Sequence, residues 1–191
     1  MGIRKWNRGI RAVSRIAEII YFALAAAVVV LAVASVVRPD TLGGMIILSN
    51  GGDVSVGTNG FEIAIADRDG NAIPAAVTLI AVVGIVTMLC MAMIFRNIRL
   101  IFAAAEQGAC RTDGALIFTP AIVRMVREIG TFCMAIPVAG FAALAAGRLI
   151  IGPGLGASVQ LHGLAIGFAV LCLSRFFAYG AELEHEVEGL V

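Results

Sequence analysis

Four arginines define the chemistry this sequence can offer. Arg96, Arg99, Arg124 and Arg127 stand as two i,i+3 pairs at the two ends of the stretch RNIRLIFAAAEQGACRTDGALIFTPAIVRMVREIG. A guanidinium presents a planar fork that suits phosphate or carboxylate, so a cluster of four would contact lipid phosphate, an acidic segment of the same chain or an acidic surface on a partner. Glu182, Glu184, His185, Glu186 and Glu188 form an acidic run near the other end of the sequence. Carboxylates with a histidine can hold a divalent cation, but acidic tails are ordinarily solvated, and contact with the arginines is a better use of this charge. Arg96, Arg99, Arg124, Arg127, Glu182 and Glu184 are therefore the candidate partner-binding residues, with no metal site expected.

Other site chemistry has little support. Cys90, Cys110, Cys133 and Cys172 contain no CxxC spacing, and three of them fall in apolar runs, which fits small packing residues better than zinc ligands or a disulfide framework. No nucleophile stands with a base to suggest catalysis, so neither an enzyme nor a cofactor is expected.

The elements that must position the arginines are membrane spans. Hydrophobic residues make up 60% of the 191 residues and charged residues 14%, with a mean hydropathy of +0.98. Soluble domains carry about 25% charged residues, so the composition is that of an integral membrane protein. The chain has 14 basic and 13 acidic residues, which gives no strongly basic domain for direct nucleic-acid binding. Uncharged runs place four spans at about 17–37, 73–95, 130–147 and 157–174, close to the ~20 residues a helix needs to cross hydrocarbon. The first run is too long for a signal-peptide core and further spans follow, so it reads as an anchor although Ala32-Val33-Ala34 has the small-x-small form. Pro137 is expected to kink the third span. The fourth contains Gly163 and Gly167, a GxxxG spacing that favours close packing inside the protein's own bundle.

Charge sets the orientation. Five basic residues lie in 1–16, five in 96–128 and one at Arg175, against Arg38, Arg68 and Arg148 in the alternate segments. That bias predicts a multi-pass membrane protein with both termini in the cytoplasm. The connector 96–129 then becomes a cytoplasmic helical hairpin extending spans two and three: Ile98, Ile101, Phe102 and Ala105 share one helical face, and Ile122, Met125, Val126 and Ile129 another, with Thr119-Pro120 opening the second helix. Residues 38–72 carry turn signals around the short runs MIILS, DVSVG and FEIAIAD, and Asn59-Gly60 is a tight-turn pair, so a small extracytoplasmic β-meander is expected there. The fold class is thus all-α, a four-transmembrane-helix bundle in one membrane domain, with this β-rich loop and an acidic cytoplasmic tail at 175–191.

Three stretches together resemble the DUF2975 family of small four-span bacterial membrane proteins of uncharacterised function. They are Arg96-Asn97-Ile98-Arg99-Leu100-Ile101-Phe102; then Gly108, Phe118-Thr119, Val123-Arg124 and Arg127-Glu128-Ile129-Gly130; and finally Gly180-Ala181-Glu182-Leu183 with Val191. The chain departs from the pattern at 109–117, where the turn is longer, and at Arg175, where an acid is usual. The resemblance implies no catalytic residues. It implies a regulatory pair, because family members are often encoded beside a small helix-turn-helix repressor.

The expected function is that of a membrane-anchored regulatory protein, with the lipid bilayer and a cytoplasmic helix-turn-helix regulator as partners. A small transporter or channel subunit is the alternative. Ionisable groups deep in the spans would mark transport, whereas here Glu18 and His162 lie near span ends and Thr78, Thr87 and Thr131 are the main polar residues within.

Overall fold

A computed structural model describes residues 2–37, 55–58, 61–64, 73–108, 120–152, 157–159 and 161–188. Among them are four helices long and apolar enough to cross a membrane: α1 Gly2–Val37, α2 Pro74–Gly108, α3 Pro120–Ile150 and α4 His162–Glu188. At about 1.5 Å per residue, the 36 residues of α1 extend about 54 Å and the 27 of α4 about 40 Å, against about 30 Å of hydrocarbon. Every helix therefore has turns to spare beyond an apolar core.

The element boundaries differ from the sequence expectation in three places. The basic stretch before residue 17 belongs to α1, since residues 2–16 contain no proline and no run of β-branched residues to stop a helix. The fourth span starts later than the expected residue 157, because Ala157–Val159 forms a strand and the helix begins at His162. The acidic run is not a separate tail either, since α4 continues through it to Glu188. The connector turn at 109–119, including Thr119, lies outside the described residues.

Helix ends follow local chemistry. Pro74 and Pro120 each occupy a first helical position, where the missing N–H is not needed. The carbonyl of Ile73 accepts the Val77 N–H at 3.1 Å. At the end of α3 the Ile151 N–H reaches the Gly147 carbonyl at 2.8 Å, and Gly152 follows with φ +109°, a conformation in which a Cβ would be strained. Pro137 lies inside α3 with its ring fully buried, and the helix runs on past it.

The strands form one antiparallel sheet in the order β1 (Ser55–Thr58), β2 (Phe61–Ala64), β3 (Ala157–Val159). Thr58 pairs with Phe61 across Asn59-Gly60, the spacing of a two-residue hairpin, although those two residues lie outside the described set. The third strand comes from the link before α4, where Phe61 faces Val159 and Ile63 faces Ala157. Residues 45–49, read above as a further strand, lie outside the described residues.

The chain divides into two compact units, one of Met1–Ile20, Met91–Met134 and Leu164–Val191, the other of Tyr21–Cys90 and Ala135–Gly163. Burial along α2 explains why it is the most enclosed helix. Ala76, Ile80, Val83, Thr87, Cys90, Ile94 and Asn97 are all buried, at spacings of alternately four and three, which keeps one seam turned to its neighbours. In the first unit α3 meets α4 at two glycines. A Cβ on Gly167 would stand 2.9 Å from the Met134 nitrogen and 3.0 Å from the Gly130 oxygen, and one on Gly130 would stand 3.0 Å from the Leu171 nitrogen. Only hydrogen fits where backbones come this close.

Candidate interaction site

The ends of the uncharged runs beside Glu18, Arg96 and Glu128 carry polar residues of the first unit. Asn97 closes the buried seam of α2 at 3% exposure, and a buried amide must find a partner. Its Nδ2 donates to Glu128 Oε2 on α3 at 3.2 Å. Two residues further on, about 200° around the helix, Arg99 faces a different neighbour, and its Nε donates to Glu18 Oε2 on α1 at 3.0 Å. Side-chain exposures of 31% for Arg99 and 14% for Glu18 put this ion pair partly out of water. Removing one member would leave the other poorly solvated, so the pair acts as a strap rather than a decoration. Glu128 uses its second oxygen on Arg124 of its own helix, at 3.1 Å with i,i+4 spacing. Thr131 turns its hydroxyl back to the Arg127 carbonyl at 3.0 Å.

The expected basic cluster is therefore divided. Arg99 is engaged by Glu18, which the sequence reading treated only as a residue near a span end. Arg124 keeps its side chain 72% exposed while touching Glu128. Arg96 and Arg127 are exposed and have no ion pair among the described residues. Glu182 is exposed on α4 and makes no ion pair with these arginines among the described residues, and Glu184 lies in the same helix. The sequence reading missed Asn97, Glu18 and Glu128 as the groups that organise this layer. Their one signal was position: Glu18 and Glu128 each stand immediately before an uncharged run, and Asn97 just after one.

What results is a sorted layer, in which both carboxylates turn into internal bonds while Arg96, Arg124 and Arg127 offer guanidinium groups outward. Such an arrangement can bind anionic groups. No family model, curated protein or solved structure matches this chain.

Proposed function

We propose that this protein is a membrane-anchored regulatory protein that holds a cytoplasmic partner through Arg96, Arg124 and Arg127, with Glu182 and Glu184 of α4 as the acidic element of the same surface. The observation that carries the reading is the sorting of charge: Glu18 is taken up by Arg99, and Glu128 is shared between Asn97 and Arg124, so Arg96 and Arg127 are left exposed with no ion pair among the described residues, beside an Arg124 whose side chain is still 72% exposed. Arg99 serves this surface from behind, by holding α2 to α1. In this reading the termini and the α2–α3 hairpin lie in the cytoplasm of a bacterial cell and the β-rich loop outside the inner membrane, on the strength of the basic-residue bias. The resemblance to the DUF2975 family makes a small helix-turn-helix regulator the first candidate partner.

Replacing Arg96, Arg124 and Arg127 together by lysine keeps the charge that orients the spans and removes the bidentate fork. The variant is expected to insert normally and to lose its partner in pull-downs from native membranes under mild detergent. Removal of residues 180–191 is expected to weaken the same association. Undiminished recovery with the lysine variant would reduce these arginines to determinants of topology.

A further inference from the structure

A second basic surface lies on α1, apart from the residues just described. Arg4, Arg8, Arg11 and Arg15 follow the spacing i, i+4, i+7, i+11 within one uninterrupted helix, so their positions fall within about 60° of its circumference. Glu18 comes next on the same side, but its carboxylate is bound to Arg99 and offers the stripe nothing. Arg8 and Arg15 are exposed with no ion pair among the described residues, and Arg11 is half-buried. Two exposed like charges on one helical face, Arg8 and Arg15, with no ion pair among the described residues call for an external anion.

We propose that this face of α1 is a docking surface for anionic phospholipid headgroups. Height along the helix selects lipid over other anions. Val13 is 65% exposed and Ile16 58%, on either side of Arg15 in sequence, and exposed Ile19 and Ile20 follow. Apolar side chains at that level need hydrocarbon around them, which places Arg15 at the boundary where phosphates begin. Arg8 then lies about 10 Å further out, by helical rise, in the headgroup zone and the water beside it. An acidic protein or a nucleic acid would have to reach Arg15 through the lipid that covers Val13 and Ile16. A headgroup is already there, and its phosphate accepts the guanidinium fork in either of two orientations. A basic segment at the end of a span attracts acidic lipid by about fivefold per charge.

Trp6 is the sole tryptophan and lies in the same helical stretch, so the full-length protein carries its own reporter. In phosphatidylcholine vesicles containing a minor fraction of lipid with brominated chains, quenching of Trp6 is expected to be at least about threefold more effective when the brominated lipid is phosphatidylglycerol than when it is phosphatidylcholine. The preference should largely vanish near 1 M salt, where charges are screened beyond about 3 Å. Changing Arg4, Arg8 and Arg15 together to glutamine should cut it to less than about half, while lysine at the same positions should keep it. Equal quenching by the two lipids, a preference that survives high salt, or one that survives the glutamine changes would overturn the proposal. Loss of preference in the lysine variant would overturn it too, since retained positive charge would then fail to draw the anionic lipid. Should the glutamine variant fail to insert, the salt titration of the wild type and the lysine variant still decide.

Discussion

The two units hold their helices together by different means. In the unit of Met1–Ile20, Met91–Met134 and Leu164–Val191, a buried amide and two carboxylates tie three helices through Asn97–Glu128 and Glu18–Arg99. The unit of Tyr21–Cys90 and Ala135–Gly163 buries small and apolar residues such as Ala25, Ala76, Val83 and Ala143. The hydroxyl of Thr87 is fully buried there and has no hydrogen-bond partner among the described residues. The contrast follows from the solvent each region meets. Near the end of a span, water and headgroups make charged partners affordable, whereas in hydrocarbon small side chains permit close dispersion contacts and polar groups gain little. Polar interactions decide stability in the first unit and shape decides it in the second, with the Gly130–Gly167 crossing as the place where shape also governs the first.

The strongest way to test that division is at the crossing. Gly167→Leu places a side chain against the Met134 backbone, and we expect a loss of about 3 kcal/mol or more in unfolding from mild detergent, with Gly167→Ala losing about 1–2 kcal/mol. A fully tolerated leucine would mean that the helices separate there without penalty. Next in size is Asn97→Leu, which removes a buried donor and leaves Glu128 short of one bond; the same measurement should fall by about 1–3 kcal/mol.

The Glu18–Arg99 strap gives a smaller and more specific signal. Arg99→Met should destabilise more than Arg99→Met combined with Glu18→Gln, with a coupling of about 1 kcal/mol, because the double variant no longer leaves a half-buried carboxylate unpaired. Additive effects would show that the two residues do not depend on one another. Smallest, and opposite in sign, is Thr87→Val. It removes an unsatisfied buried hydroxyl at nearly constant shape and should leave stability unchanged or raise it by up to about 1 kcal/mol. A clear loss would point to a partner for that hydroxyl and would erase the difference between the units.

Much of this architecture was legible because spans announce themselves through what they lack. The uncharged runs after Glu18, before Arg96 and after Glu128 mark helices that the structure places there, and Pro120 opens α3 as its chemistry predicts. The GxxxG spacing pointed to Gly167 but not to its counterpart: Gly130, on another helix, is invisible to a pattern read along one segment. Asn97 was passed over for a related reason, since an amide beside arginines looks solvated until the four-three seam of α2 is extended through it. The strand at Ala157–Val159 is too short to show periodicity and borrows its identity from β2. The candidate site was half legible: arginine positions could be read, but which of them the protein occupies internally depended on contacts between distant segments.

The separation between Glu18 and Arg99 has a consequence for how the chain is made. They lie 81 residues apart, and at roughly 5–20 residues per second the ribosome delivers the arginine about 4–16 s after the glutamate. During that interval the first helix must settle in the membrane with its carboxylate still wanting a counter-charge. An unpaired acid resists moving into hydrocarbon, so nascent α1 is expected to rest with Glu18 at the aqueous edge and to settle into its final depth only when α2 arrives. Biogenesis of this protein would then proceed in two steps, with Arg99 as the latch that ends the first.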